Sequence, residues 1–187
     1  MSKTAIVFLA DGFEEVEAIT PIDYLRRAGV DVITVSISDR RIVTGSHGIP
    51  VTADAVLADI AAAAGSSVYD AMLLPGGMPG AANLAASGGV GALLKGQAAA
   101  GRIVAAICAS PAVVLSPLGL LAGRRFTCYP GMESTVTGAT WSEERVVIDG
   151  NIVTSRGAGT AAEWAIALIG ALVGKRDGEK VAGAVLL

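Results

Sequence analysis

The sequence of 187 residues contains a single histidine and two cysteines, and no cluster of lysine or arginine is longer than a pair. One histidine and two cysteines do not provide nitrogen and sulfur ligands at zinc spacing, which argues against a structural metal. Acidic and basic residues are interspersed and the net charge is −3, so no patch for nucleic-acid phosphates is expected. The sequence therefore predicts neither a metal site nor a nucleic-acid partner.

Long apolar runs are also missing, although 52% of the residues are hydrophobic. The longest runs, such as residues 5–10 and 161–173, are too short to span a bilayer or contain a charge. The apolar run before Asp11 is too short for the hydrophobic part of a signal peptide. We therefore expect a cytoplasmic protein without membrane association. In that compartment Cys108 and Cys128 are not expected to form a disulfide.

Strand-like and helix-like segments alternate along the whole chain. The length fits one domain over residues 1–187, and no linker or repeat interrupts it. The strand-like runs are 4–9, 30–37, 70–74, 102–107, 145–148 and 152–155. Several of them are continuous apolar runs without alternation, which is typical of strands that are covered on both faces. Helical segments between them end at glycine; these are 14–28, 57–64, 91–100 and 160–173. The pattern predicts an α/β fold with a mainly parallel, doubly wound sheet. Residues 42–52 are predicted to form a hairpin outside this alternation.

The strongest chemical signal is the run 102–115, in which a strand-like segment ends at Cys108 and a helix-like segment with Ser110 and Pro111 at its start follows. This is the layout of a nucleophile elbow, although the Gly-x-Ser-x-Gly pattern of hydrolases is absent. A helix start beside the sulfur favours a thiolate, so we expect the pKa of Cys108 to lie well below about 8.5. The alternative is a buried structural cysteine that acts as a small hydrophobe.

We expect two more loops, 11–17 and 75–80, at the same edge of the sheet. Both follow strand-like runs, and ligands of parallel sheets bind beyond the carboxyl ends of the strands. The backbone N–H groups of Gly76 and Gly77, with that of Ala109, are candidates for an oxyanion hole beside Cys108. The alternative is a tight turn without a catalytic role. Neither a dinucleotide fingerprint nor a P-loop is present, so nucleotide binding is not supported.

Glu17 is the candidate acid and base, because it lies on a helix that must bury one face. Burial near the cysteine would raise the pKa of Glu17 and make it a proton donor at neutral pH. Its neighbours Glu14 and Glu15 are instead expected on a solvated face of the first helical turn.

No histidine follows Cys108, so a catalytic triad with a downstream histidine cannot form. His47 can reach the site only from its own hairpin or from a partner subunit. The alternative is that it is an ordinary surface histidine without a role in the site. Cys128 is expected to lie near the site rather than to react.

Four motifs together resemble the ThiJ/PfpI superfamily, in the branch of the parkinsonism-associated deglycase and its bacterial relatives. They are DGFEEVE at 11–17, LPGGMPGA at 74–81, AICASP at 106–111 and TSRGAGT at 154–160. The resemblance implies a flavodoxin-like three-layer sandwich, a homodimer and no cofactor. It also implies that Cys108 is the reactive thiol, Glu17 its protonated partner, and the N–H groups of Gly77 and Ala109 the oxyanion hole.

Three positions depart from the family pattern. Relatives with well-attested glyoxalase activity have a histidine where this chain has Tyr129, and the protease-like branch has one at Ala109. The human-type protein has an arginine that reaches toward the partner's site where this chain has His47. The resemblance therefore favours a glyoxalase or deglycase that acts on methylglyoxal or related reactive aldehydes and protects against carbonyl and oxidative stress. The alternatives are a redox sensor or chaperone in which Cys108 is oxidised to sulfinate, and a small-molecule binding module.

Overall fold

A seven-stranded sheet runs through the middle of the molecule, with helices against both faces. The computed structural model describes residues 2–63 and 69–187. In these ranges the strands are β1 (Thr4–Leu9), β2 (Asp31–Ser36), β3 (Ile42–Thr44), β4 (Pro50–Thr52), β5 (Ala55–Val56), β6 (Ala71–Leu74), β7 (Ile103–Ile107), β8 (Arg125–Phe126), β9 (Thr140–Trp141), β10 (Val146–Asp149) and β11 (Ile152–Ser155). The helices are α1 (Glu15–Arg27), α2 (Leu57–Ala63), α3 (Gly80–Ala86), α4 (Gly88–Ala99), α5 (Ala161–Leu172) and α6 (Lys175–Ala184).

The sheet has the strand order β10-β11-β7-β6-β1-β2-β5. All neighbours are parallel except β10 and β11, which form an antiparallel pair. This arrangement confirms the prediction of a mainly parallel, doubly wound sheet in a flavodoxin-like sandwich.

Alternating side chains of β1 contribute to two separate cores. Val7 packs with Leu25 of α1 and Trp164 of α5 on one face, and Trp164 is completely buried. Ile6 and Phe8 point to the other face, where the core also includes residues of α3 and α4. Because both faces are covered, nearly every position of the central strands is apolar, which explains their continuous hydrophobic runs.

The three central strands end at one edge. Val7 pairs with Leu73, and Leu74 pairs with Ala106, so β1, β6 and β7 reach this edge side by side. The loops that follow β1 and β6, and the turn that begins at Cys108, therefore leave the sheet next to one another, as the sequence predicts.

Strands β3 and β4 form the predicted hairpin, with Val43 opposite Val51. The hairpin is tied to the loop after β1, because the N–H of Gly12 donates to the carbonyl of Thr44 at 2.8 Å. The N–H of Ser46 likewise donates to the carbonyl of Phe13 at 2.8 Å. The hairpin thus lies beside the start of α1.

Several elements differ from the sequence-based expectation. The segment after Cys108 is a five-residue π-helical turn, Pro111–Leu115, rather than the start of an ordinary helix. Helices α3 and α6 and the short strands β8 and β9 were not predicted, because they are short or interrupted by glycine and polar residues. The predicted end of a helix at 64 and 65 lies outside the described residues. No helix in the described part of the chain combines the length and apolar character needed to cross a bilayer.

Candidate active site

Cys108 lies at a sharp turn directly after β7. Its φ of 64° places a non-glycine residue in the left-handed region, which is uncommon and strained. The turn is held on both sides: the N–H of Cys108 donates to the carbonyl of Ser155 at 3.0 Å, and its carbonyl accepts from the N–H of Tyr129 at 2.8 Å. The thiol is half-buried and free. The backbone geometry therefore agrees with the predicted nucleophile elbow.

The glycine loop after β6 lies directly against this turn. A Cβ atom on Gly76 would come within 2.6 Å of the Cβ of Cys108 and 2.8 Å of Oε2 of Glu17. Gly77 has a φ of +84°, and a Cβ there would meet the N of Glu14 at 2.4 Å. Neither position has room for a side chain, so the two glycines are needed for the approach of the loop to the cysteine.

Glu17 points from the first turn of α1 into the same place, as predicted. The residue is only 1% exposed, and its Oε2 accepts a hydrogen bond of 2.8 Å from the N–H of Gly76. The other carboxyl oxygen, Oε1, has no hydrogen-bond partner among the described residues. Gly76 thus binds the carboxyl group through its N–H, which leaves the N–H groups of Gly77 and Ala109 as the candidates for an oxyanion hole.

Burial changes the proton affinity of both members of the Cys108–Glu17 pair. It raises the pKa of Glu17 to about 7, although hydrogen bonds with Gly76 and the Cys108 thiol act in the opposite direction. Burial also raises the pKa of Cys108 to about 12, and the charge and hydrogen bond of Glu17 add to this effect. The N–H groups of Gly77 and Ala109 lower the pKa of the thiol, but less than burial raises it.

The raised pKa of Glu17 confirms the sequence-based prediction, whereas the expected depression of the Cys108 pKa is wrong. Burial of the thiol is the largest cause of its raised pKa, and the neighbouring Glu17 carboxyl group adds to it. The segment after Cys108 is also only a short π-helical turn rather than an ordinary helix start. Above pH 7 the pair holds one proton, on the sulfur, beside the Glu17 carboxylate. Glu17 is then placed to accept that proton when the sulfur attacks an electrophile.

Tyr129 and Gly157 border the site on another side. The Tyr129 side chain is about half-exposed, and its ring lies next to Gly157. A Cβ atom on Gly157 would lie 3.6 Å from Cδ2 of Tyr129 and 3.9 Å from Oε1 of Glu17. The motif TSRGAGT contains Gly157, but nothing in the pattern indicates which residue of the motif lies next to Glu17 and Tyr129.

Cys128 is completely buried, and its Sγ donates a hydrogen bond of 3.5 Å to the carbonyl of Tyr129. Burial, with the charge of Glu133, raises its pKa to about 12. This cysteine supports the wall that carries Tyr129.

His47 lies at the tip of the β3–β4 hairpin and contacts Glu15. The ring atom Nδ1 is 2.9 Å from Oε2 of Glu15 and 3.4 Å from Oε2 of Glu14. The backbone N–H of His47 donates to Oε1 of Glu15 at 2.8 Å. Burial acts to raise the pKa of Glu15, but these hydrogen bonds lower it to about 2. The hydrogen bond with Glu15 raises the pKa of His47.

The expectation that Glu15 lies on a solvated face is therefore wrong. Glu15 is only 5% exposed, because the hairpin folds over it. Glu14, Glu15 and His47 place ligand-type atoms within 4.8 Å of one another, and they are the one such group in the described ranges. The hydrogen bonds from the hairpin already account for this arrangement.

Comparison with known proteins places this geometry in a family. The model of the DJ-1/PfpI family matches residues 3–171. The chain is 41% identical to the Arabidopsis thaliana protein DJ-1 homolog B over 100% of its own length and 42% of that protein; it spans about half the length of the plant relatives it matches. It is 35% identical to a Pyrococcus abyssi protein named a deglycase, over 85% of this chain and 93% of that one.

The fold also matches that of a solved relative. The structure described as Toxoplasma gondii DJ-1, oxidized, superposes with a TM-score of 0.94 at 39% identity. The match covers 99% of this chain and 98% of that chain.

Proposed function

Because this chain belongs to the DJ-1/PfpI family, we propose that it is a cysteine-dependent, cofactor-independent glyoxalase or deglycase. Its substrates would be methylglyoxal or related reactive aldehydes, and its role protection in carbonyl and oxidative stress. The observation that carries the proposal is the buried Glu17 carboxyl group in contact with the half-buried Cys108 thiol. The relative named a deglycase gives independent support.

The first step is addition of the thiol to the aldehyde. The proton of Cys108 Sγ moves to Glu17 while the sulfur bonds to the aldehyde carbon, C1. The π electrons of the C1–O bond move to the oxygen, which the N–H groups of Gly77 and Ala109 stabilise. Glu17 then returns the proton to this oxygen, which gives a neutral hemithioacetal.

The second step moves a hydrogen from C1 to C2. The Glu17 carboxylate removes the C1 proton, the electron pair forms a C1–C2 double bond, and the C2 oxygen takes the proton of the C1 hydroxyl. Return of the proton from Glu17 to C2 gives a thioester of lactic acid. Water then adds to C1, the C–S bond breaks and Cys108 regains its proton, so methylglyoxal and water become lactic acid.

A second candidate function is redox sensing, and the different exposure of the two cysteines favours it. Cys108 is half-buried, whereas Cys128 is completely buried. A peroxide would oxidise Cys108 to sulfenic acid with release of water, and a second equivalent would give the sulfinate. In this alternative, which includes a chaperone without turnover, aldehyde conversion is negligible.

Turnover of methylglyoxal by the purified protein distinguishes these functions. We expect lactate without added glutathione or metal, and none from Cys108→Ala. Glu17→Gln keeps a polar group but cannot carry the proton, so its rate should fall by roughly 10²–10⁴-fold. No lactate from the wild type would refute the enzyme and favour the sensor, whereas lactate from Cys108→Ala would place the activity elsewhere.

A further inference from the structure

An open pocket of about 410 Å³ lies at the carboxyl ends of β1 and β2. Its residues come from the ends of these two strands, from β3, and from α3 with the serine that follows it. Neither Cys108 nor Glu17 is among the described residues that line it. In open parallel sheets ligands bind beyond the carboxyl ends of the strands, and this volume lies in the range of roughly 300–1,000 Å³ that small-molecule sites have. The pocket is therefore a candidate ligand site separate from the cysteine.

Two serine side chains of the pocket have no proton left for a ligand. Ser36 is 1% exposed, and its Oγ lies 3.1 Å from Oγ of Ser38. The Ser38 hydroxyl donates to the carbonyl of Arg40 at 3.2 Å, so the proton between the two serines must come from Ser36. The serines thus form a closed wall, and a ligand has to be held by other groups.

The Asp11 carboxylate is one such group. Its Oδ1 accepts from the backbone N–H of Thr44 at 2.9 Å, and its Oδ2 accepts from Nη2 of Arg40 at 3.0 Å. Each carboxylate oxygen can accept two hydrogen bonds, so both atoms keep capacity for a further donor.

The Asn83 side chain is the second group. It is exposed, and its Nδ2 donates to the carbonyl of Asp11 at 2.9 Å. A carbonyl oxygen can only accept, so this contact requires the amide to present Nδ2 to Asp11 and leaves Oδ1 as the free atom. Oδ1 accepts no hydrogen bond from a described residue. Asp11 and Asn83 therefore offer two unused acceptors at the same rim of the pocket.

These groups select a ligand that donates hydrogen bonds and carries no charge. The negative charge of Asp11 is balanced by Arg40, so a cationic ligand gains little. No lysine or arginine is among the described residues that line the pocket, so a phosphate or carboxylate has no partner there. Other lining residues are apolar and buried; they include Leu9, Ala10 and Val43. A ring with hydroxyl groups at its rim and C–H groups on its faces has the matching surface.

We propose that this pocket binds a neutral cyclic sugar, two neighbouring hydroxyl groups of which donate to the Asp11 carboxylate and to Oδ1 of Asn83. The carbon skeleton of the ring packs against the apolar lining. Binding does not depend on the proposed aldehyde chemistry, because Cys108 takes no part in it. A free sugar and the ribose of a nucleoside both carry such a pair of hydroxyl groups, and different probes distinguish them.

The probes are methyl β-D-ribofuranoside, methyl α-D-glucopyranoside and adenosine, none of which has a free aldehyde that could react with Cys108. We expect saturable NMR shift changes at millimolar concentrations, at residues 10–11, 36–38 and 83–87 of the ¹⁵N-labelled protein. Residues 107–110 should not shift, and Cys108→Ala should bind with unchanged affinity. The 2-deoxy analogue of the ribofuranoside lacks one of the two hydroxyl groups, which leaves an acceptor unpaired, and it should bind roughly tenfold more weakly.

Ala86→Leu tests the space without removing a polar group. Ala86 lines the pocket with an exposed side chain, so leucine should fill part of the volume and abolish saturable binding. The matched control is Ala85→Leu, which changes an exposed neighbour on the same helix that does not line the pocket, and it should bind like the wild type. Asn83→Ala removes the free acceptor and should weaken binding roughly 2–10-fold. Thermal melting shows whether each variant is folded.

The results identify the ligand source or refute the site. Binding of either methyl glycoside assigns the pocket to a free sugar, and binding of adenosine alone assigns it to the ribose of a nucleoside; both support the site. Three results would overturn the proposal: no saturable change with any probe, equal affinity for the 2-deoxy analogue, and wild-type binding by a folded Ala86→Leu variant. Shift changes confined to residues 107–110 would also overturn it, because they would place the ligand at the cysteine.

Discussion

The Ser110 hydroxyl donates a hydrogen bond of 2.6 Å to the carbonyl oxygen of Pro75, and both groups are buried. This contact joins the turn that carries Cys108 to the glycine loop whose next residue, Gly76, binds Glu17. This side-chain hydrogen bond therefore helps to fix the distance between the nucleophile and the N–H of Gly77, together with the backbone contacts of the two loops.

Removal of that hydroxyl should weaken catalysis more than substrate binding. Ser110→Ala leaves the Pro75 carbonyl buried without a partner, which costs roughly 1–3 kcal/mol of stability. We expect kcat to decrease while KM changes little, because the loop that stabilises the oxyanion is no longer fixed against the cysteine. Steady-state kinetics and thermal unfolding measure both effects. Ser116→Ala is the matched control, since its hydroxyl makes no hydrogen bond within the described residues; equal effects of the two substitutions would contradict the prediction.

The two cysteines should differ in reactivity although burial raises the pKa of both. Cys108 is half-buried at the site and Cys128 is fully enclosed, so mild hydrogen peroxide should produce sulfinate on Cys108 first. Mass spectrometry of a time course gives the order. Cys128→Ser should hardly alter aldehyde turnover. Oxidation of both cysteines at the same rate would count against the sensor function.

The reactivity of Cys108 should follow the protonation of Glu17. Since the pKa of Glu17 is about 7, raising the pH through 7 produces the carboxylate that accepts the thiol proton. The rate of alkylation of Cys108 by iodoacetamide should therefore increase with a midpoint near pH 7. Glu17→Gln should remove this midpoint, and a profile that persists in the variant would assign it to another group.

Protein stability should depend on Glu17 over the same range. The pKa of Glu17 is raised from 4.5 in the unfolded chain to about 7, so the folded state holds the proton more tightly. This contribution to stability is complete below pH 4.5 and is lost as the pH rises through 7, by roughly 3 kcal/mol in total. Glu17→Gln carries no charge and should melt at a higher temperature than the wild type at pH 8 but not at pH 4. Calorimetry at the two pH values is the test, and a lower melting temperature at pH 8 would contradict it.

The tip of the β3–β4 hairpin should loosen at both extremes of pH. Glu15 has a lowered pKa, so its contribution to stability is present above pH 4.5 and is lost as the pH falls through about 2. His47 has a raised pKa, so its contribution is complete below its ordinary value of 6.5 and is lost as the pH rises through the raised pKa. His47→Ala should speed hydrogen exchange at residues 45–49 at pH 6, after correction for intrinsic rates. The control is Arg41→Ala, which removes a cation directly before the hairpin. The Arg41 side chain has no partner among the described residues, so this variant should leave the exchange unchanged.

A homodimer that covers α1 and the hairpin remains a prediction. Four large apolar side chains are 43–60% exposed there: Val16, Ile19, Ile42 and Ile49. Burial of such side chains in a second copy would be favourable. The double substitution Val16→Arg and Ile19→Arg should give a monomer by light scattering at micromolar concentration. The control Ile148→Arg changes a similarly exposed side chain on β10 and should leave the dimer intact. A monomeric wild type would refute the prediction.

The periodicity of the sequence was sufficient to predict the sheet and the edge of the sheet at which the site lies. Continuous apolar runs placed the central strands to within about two residues, and a charged residue on an otherwise buried helical face identified Glu17. These features depend on local pattern and on the geometry of parallel strands, both of which can be read from one chain.

The errors concern contacts between segments far apart in the chain. Glu15 is buried only because a hairpin more than 25 residues away folds over it, and no local pattern records that. The pKa of Cys108 depends on how deeply the thiol is enclosed and on the charge of Glu17, which are tertiary properties. The position of Gly157 beside the site could not be predicted for the same reason, since the absence of a side chain becomes informative only when the neighbouring residues are known.

Strands β1, β6 and β7 are each hydrogen-bonded to a neighbouring strand on both sides. The segments that directly follow them contain Glu17, the glycine loop and Cys108, respectively. The edge strands β5 and β10 can open locally, but such an opening does not break the hydrogen bonds that hold Cys108 and Glu17, which go to Ser155, Tyr129 and Gly76. Amide protons of the three central strands should thus exchange only through global unfolding. Substitutions at the edges of the sheet will reduce the amount of folded protein before they reduce the activity of each folded molecule.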